Sequence, residues 1–245
     1  MSAIPSGPAL AARTPQGSAA RTPRAWRAPL ARVLVQASSI VTCVLLWHWA
    51  STQRVDLLAV SFANVPPPAE VLDAAWQLLQ SPKLWPHLRA SLLRVGFGFG
   101  AAVLLGVGLG LVIGRLKWAR LSLLPPLEVL RPIPAVAWIP LAILMFPSSE
   151  GSMVFITFVG ALFPILLNTI HGVEAVDARL VASARSLGTR GLSLFTEVIA
   201  PGAAPSIVTG LSIGMGTCWF CLVTAEMIAG QYGIGYYTWE SYTVQ

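Results

Sequence analysis

Residues 171–205 read HGVEAVDARLVASARSLGTRGLSLFTEVIAPGAAP, the longest polar interruption between strongly apolar segments of the chain. Within it Asp177 to Leu187 has the pattern of a short helix that stops at Gly188. A second amphipathic run, Leu192 to Ile199, leads on to Pro201. A helix–Gly–helix unit folded between two membrane spans is placed to be presented to a partner, so the flanking segments decide the fold.

Those flanks are membrane segments. Of 245 residues, 55% are hydrophobic and 11% charged, with a mean hydropathy of +0.70. Soluble domains carry about 25% charged residues, so the composition is that of a polytopic membrane protein. The net charge of +6 does not mark a nucleic-acid partner, because the 16 Lys and Arg cluster beside apolar runs as topology signals do. A span needs about 20 predominantly apolar residues. Five stretches qualify: Leu30–Ala50, Val95–Gly114, Leu121–Phe146, Met153–Ile170 and Ile207–Ala229. The expected fold is therefore an all-α transmembrane helical bundle.

The charges orient it. Arg13, Arg21, Arg24, Arg27 and Arg32 flank the first span; Arg115, Lys117 and Arg120 follow the second; Arg179, Arg185 and Arg190 follow the fourth. Loop 147–151 and the tail 230–245 hold no Lys or Arg. The positive-inside bias puts the N-terminus and the 171–205 segment in the cytoplasm. Residues 1–29, rich in Ala, Pro, Ser and Arg, read as a disordered cytoplasmic tail, and 30–245 as the membrane domain. The first apolar run is as long as a span and lacks an obvious cleavage site, so it reads as an uncleaved helix rather than a signal peptide. Residues 69–80 place Val71, Leu72, Ala75, Trp76 and Leu79 on one face, a helix expected to lie at the outer interface.

No catalytic, metal or cofactor site is expected. Cys218-Trp-Phe-Cys221 has redox spacing but lies inside the fifth span, where apolar packing is the better reading. Gly106, Gly110 and Gly114 form overlapping G-x-x-x-G pairs, as do Gly96/Gly100 and Gly210/Gly214, and these serve close helix approach. No G-x-x-x-x-G-K-[ST] occurs, so ATP would have to act through a separate subunit. The histidines His48, His87 and His171 are dispersed near span ends, which disfavours a membrane-embedded enzyme.

Helix breakers and charges inside the spans carry more information. Pro125, Pro126, Pro132, Pro134 and Pro140 make the third span unlikely to be a straight helix. Irregular backbone at membrane depth is tolerated where it is buried in protein or lines a wet cavity. Pro132, Pro134, Trp138 and Pro140 are accordingly candidates for pathway lining. Glu128 and Arg131, three residues apart, are expected to form a structural pair. Glu226 either lines the outer mouth of the pathway or caps a local hydrogen-bond network. Pro164 and Asn168 read as a kink or a helix-end hydrogen bonder; Gly230, Gly233 and Gly235 suggest a turn before an aromatic segment at the outer interface.

These residues carry a resemblance. Residues 171–205 resemble the cytoplasmic loop of permease subunits of binding-protein-dependent ABC importers, whose motif reads EAA, three residues, Gly, nine residues, Ile-x-Leu-Pro. Here Ala182, Ser183, Ala184, Gly188, Val198 and Ala200-Pro201 take those positions, with Ala182 in place of the motif glutamate and Ala200 in place of its leucine. Glu174 lies eight residues too early to be that glutamate. SLLRVGFGFGAAVLLGVGLGLVIG, LRPIPAVAWIPLAILMF, FPILLNTIHGVEAVD, ARSLG and AEMIAGQYGIGYYTW are similar to permeases of the nitrate, sulfonate, taurine and bicarbonate branch, a likeness running over 66–245.

The resemblance implies a transport subunit in the cytoplasmic membrane, not an enzyme. It implies a second permease copy, two cytoplasmic ATPases that hydrolyse the ATP, and an extracytoplasmic solute-binding protein. Ala182, Ser183, Ala184, Arg185, Gly188 and Pro201 would be the ATPase-coupling positions, with helix 177–187 entering a groove on the motor. The solute would be a small anion such as nitrate, a sulfonate, taurine or bicarbonate; a thiamine precursor or another non-anionic solute stays open. A passive channel, a different class, would need no ATPase dock. The chain ends at Tyr242-Thr-Val-Gln245 in what this topology makes the outer loop, so the family's last span is expected to be missing.

Overall fold

A computed structural model describes residues 28–57, 60–62 and 64–244. The tail expected over 1–29 lies outside the described residues except for its last two positions, which open the first helix. The chain divides into two compact units, Met1–Gln77 and Leu78–Gln245.

The first unit holds helix α1 (Ala28–Thr52), long enough at about 1.5 Å per residue to cross a bilayer. A two-residue antiparallel pair follows, β1 (Asp56–Leu57) and β2 (Val60–Ser61). Helix α2 (Pro68–Gln80) runs on from there. Its Val71, Leu72, Trp76 and Leu79 are exposed on the face that the sequence marks as interfacial.

The second unit is helical throughout among the described residues. Its core is three helices: α3 (Leu84–Arg115), α6 (Ser149–Glu174) and α9 (Ala200–Ala229). Small residues let them meet. A Cβ at Gly98, Gly106, Gly110 or Gly114 of α3 would come within 3.0 Å of Thr157, Ile165, Thr169 or Val173 of α6, respectively. Gly210 and Gly214 of α9 lie as close to Asn168 and Ile165 of the same helix. Without a hydrophobic driving force between helices in lipid, such backbone approach supplies the van der Waals contact that holds a bundle. A Cβ at Gly96 or Gly100 meets nothing within 4 Å, so that G-x-x-x-G pair makes no helix contact among the described residues, contrary to the reading from spacing.

The matched positions rise together along α3 and α6, so these two helices are parallel, while α9 runs against them. The segment between α3 and α6 must therefore return across the bundle. It does so as a broken path: α4 (Lys117–Leu130), a 3₁₀ turn (Ala135–Trp138) and α5 (Ile139–Met145), with an 82° bend between its halves. Prolines cause the break, as expected, and with this pair counted as one span the described residues hold five segments long and apolar enough to cross a membrane. The Glu128–Arg131 pair does not form. Both side chains are exposed, and although Arg131 keeps helical backbone with its N–H on Leu127 O, no ion pair joins the two. Arg120 pairs with Glu174 at 2.5 Å instead, tying α4 to the end of α6.

Cys218 and Cys221 are buried, unlinked thiols that pack toward α6, where Gly160 makes room for the Cys221 sulfur. Beyond α6 come α7 (Ala178–Ser186), α8 (Gly191–Leu194) and a π turn, Phe195–Ile199, that runs into α9. Pro201 has no N–H to donate, and the ladder widens just before it, with the Ala200 N–H reaching Phe195 O. Helix α10 (Ile234–Val244) closes the described chain.

Candidate functional site

Functional chemistry gathers at the two opposite ends of the three-helix core. At one end lie Gly114, Val173 and Ala203 with α7; at the other lie the starts of α3 and α6, the last turn of α9 and the turn before α10.

Helix α7 is short, so its caps matter. Asp177 Oδ1 accepts the Arg179 N–H at 2.8 Å and satisfies one of the orphan donors of the first turn. At the other end Gly188 N–H reaches Arg185 O and Thr189 N–H reaches Ala184 O, both at 3.0 Å, a Schellman closure. Gly188 has φ +93, a conformation that favours glycine. A Cβ there would meet nothing within 4 Å, so backbone conformation rather than lack of space accounts for the glycine.

Val181 and Ala184 face inward, packing with Val176 against Val173, Leu194, Ile199 and Ala203. Leu180, Ser183 and Leu187 form the outward stripe, all exposed, with Ala182 and Arg185 exposed beside it. Ala182 and Arg185 also line a cavity of about 290 Å³ shared with Arg115. Pro201 is exposed at the start of α9. The motif positions thus fall on one end of the bundle, but on two elements rather than one surface of α7.

The opposite end is a buried ionic network. Glu226, fully buried in the last turn of α9, accepts from Ser91 Oγ at 2.7 Å, Arg94 Nη1 at 2.8 Å and the Gly235 N–H at 2.9 Å. Arg94, itself buried, also donates from Nη1 to Tyr232 O at 2.6 Å and from Nε to Glu150 Oε2 at 2.7 Å, with Nη2 on Glu150 Oε1. The Gly233 N–H donates to His87 Nδ1 at 3.0 Å and the Ile234 N–H to Ser91 Oγ at 2.9 Å. The turn expected from Gly230, Gly233 and Gly235 is therefore clamped to α3 through polar groups. Gly233, at φ +134, lies against the Glu226 carboxylate so closely that a Cβ would overlap it. Burying a charge is costly unless it is paired and hydrogen-bonded, and every partner needed is present here.

The pathway candidates from the sequence do not come together. Pro132, Pro134 and Pro140 are exposed on the bent segment. Trp138 is half-buried against the main core, and its indole N–H is buried without a partner. Glu226 sits on another helix with its carboxylate taken up by Ser91, Arg94 and Gly235. Arg94, Ser91 and Glu150 carry no sequence motif of their own, and His87 reads there only as one of three dispersed histidines. A span begun at Val95 leaves Arg94 just outside it, although an arginine beside an apolar run at the same end as two acids was the available signal.

A bundle of broken and glycine-packed spans, with a capped polar helix at one end, is the architecture of a polytopic membrane protein. Residues 102–245 match the family described as binding-protein-dependent transport system inner membrane component. The chain is 33% identical to the nitrate import permease protein NrtB of Synechocystis, over 90% of this chain and 82% of the relative. It is 36% identical to the taurine transport system permease protein TauC of Escherichia coli, over 86% and 78%. With the putative aliphatic sulfonates transport permease protein SsuC of the same species the identity is 41%, over 80% and 73%. The chain belongs to this family of ABC importer permeases: it is a multi-pass inner-membrane transport subunit and not an enzyme.

Proposed function

We propose that this chain forms the solute pathway of an ATP-driven importer for a small oxyanion, with its N-terminus and the 171–205 segment on the cytoplasmic side. Two copies pair in the membrane. A separate ATPase dimer docks on α7, and an extracytoplasmic binding protein delivers solute at the end where Arg94, Glu150 and Glu226 lie. The named relatives carry nitrate, taurine and aliphatic sulfonates, which share a compact anionic head. The positive-inside bias of Arg115, Lys117, Arg120, Arg179, Arg185 and Arg190 supports the orientation.

One observation carries the coupling role: a nine-residue helix, capped at both ends and anchored by Val181 and Ala184, holds an exposed Leu180–Ser183–Leu187 stripe. Solvated leucines flanking a small residue fit an apolar groove on a partner, and Arg185 beside them suits an acidic rim. ATP-driven closure of the motor would draw two such helices together and move the spans that they cap. The broken third span, with Pro132, Pro134, Trp138 and Pro140, is the segment best suited to change shape along the pathway.

The test is Gly188→Trp in a tagged permease co-expressed with its ATPase. Loss of both co-purifying ATPase and taurine or nitrate uptake is expected, since the substitution strains the φ +93 turn and blocks the docking face. Retention of both would sink the coupling role.

A further inference from the structure

One guanidinium at the outward end of the core faces two carboxylates. Arg94 is 2% exposed and Glu226 is fully buried, whereas the Glu150 side chain is 66% exposed. A single positive charge needs one counter-charge to be buried, and Glu226 supplies it through a three-donor cradle that fixes it in place. Glu150 is in surplus, and its exposed carboxylate can turn into water provided another anion takes its place on the buried Arg94. Yet Glu150 holds the better edge. It takes the side-on Nε and Nη2 pair of Arg94 in the bidentate arrangement that guanidinium offers to planar oxyanions. Glu226 and the Tyr232 carbonyl share Nη1, so that the Nε/Nη2 fork remains aimed outward when its partner changes.

The surroundings suit a small anion with an organic tail. Arg94 and Glu150 stand on the wall of a groove of about 730 Å³ lined by Leu93, Phe97, Phe155 and Phe158. Glu150 also borders a neighbouring groove of about 580 Å³ that contains Arg89 and Trp85. An anion drawn to exposed Arg89 would meet the Arg94 fork next, with aromatic side chains to receive an apolar substituent.

We propose that the Nε/Nη2 edge of Arg94 is an exchangeable oxyanion site, filled in this conformation by Glu150 and taken over by a nitrate-, carboxylate- or sulfonate-type solute that displaces it. The proposal rests on the anion-importer reading and assigns Glu150 the part of an internal competitor. The exchange leaves the charge around Arg94 unchanged, because one monoanion leaves the fork as another enters.

The test measures binding of nitrate and of methanesulfonate to the purified permease–ATPase complex in nanodiscs, at constant ionic strength with chloride, which has no planar oxygen pair for the fork, as the balancing anion. Glu150→Gln keeps the Arg94–Glu226 pair and removes the competing charge, so both anions are expected to bind about tenfold more tightly than in the wild type. Glu150→Asp restores the competitor and should return binding toward the wild-type level. Adding Arg94→Lys to Glu150→Gln retains a charge for Glu226 but loses the planar fork, and should cancel the gain. Unchanged or weaker binding of both anions by a Glu150→Gln complex that unfolds at the wild-type temperature would overturn the proposal. Uptake by the wild type is read separately. Failure to import any oxyanion counts against the importer reading, whereas the ratio of binding constants speaks for the Arg94 fork alone.

Discussion

Pro164 poses a residue-scale problem that the fold answers with one hydroxyl. Lacking an N–H, Pro164 leaves the Gly160 carbonyl without its donor one turn back in α6. In a bilayer such a group is costly. Thr217 of α9 donates its Oγ1–H to that carbonyl at 2.7 Å, and Gly160 leaves space for α9 to come this near. One residue thus repairs the ladder and fixes the height of α9 against α6. Thr217→Val keeps the shape and removes the donor, so it should destabilise the folded permease by about 1–2 kcal/mol, read as a lowered unfolding midpoint in detergent. Thr217→Ser keeps the donor and should lose much less. If valine were as stable as threonine, the proline-relief role would be wrong.

At the scale of elements, α3 carries glycines on more than one face, and the structure uses one face for packing. Gly98, Gly106, Gly110 and Gly114 meet α6, while Gly96, Gly100 and Gly108 face open space. Gly110→Val would drive a branched side chain into Thr169, and a cost of about 2–4 kcal/mol with loss of the monodisperse folded protein is expected. Gly108→Val, with nothing within 4 Å, should leave folding in detergent near the wild-type level. The comparison of the two unfolding midpoints separates packing from helix propensity. This is also where legibility divides. The spans, the bend of the third and the Gly188 stop could be read from local pattern, since each depends on proline, glycine or hydropathy within one segment. Which glycine face packs could not, because Gly96/Gly100 and Gly106/Gly110 share a spacing and only the residues of α6 select between them. Glu128–Arg131 failed for a related reason: spacing puts two exposed side chains on one helical face without holding them together. Arg94 was missed because its partners come from three other segments, separated from it by 56, 132 and 138 positions.

At the scale of the whole chain, the parallel run of α3 and α6 fixes more than packing. Since α3 begins at the end where Glu150 opens α6, and α9 runs back to bring Glu226 there, the second unit has one end bearing the Arg94 network and an opposite end bearing α7. Proposed coupling and proposed anion capture are then separated by the full height of the bundle, and a motor at α7 can reach the Arg94 fork only by moving the spans between them. That requirement has a topological signature. In a Cys43→Ala background, where the remaining thiols Cys218 and Cys221 are buried, Ser149→Cys should react with a membrane-impermeant maleimide added outside intact cells. Ser186→Cys should stay silent there and react only in inverted vesicles, because it lies beside the arginine-rich end that the positive-inside bias holds in the cytoplasm. The reverse labelling pattern would put α7 out of reach of any cytoplasmic ATPase and end the coupling argument. Labelling of Ser149→Cys from outside that slows when nitrate or taurine is supplied with the complete importer would further place the solute at the Glu150 end, where the exchange at Arg94 requires it.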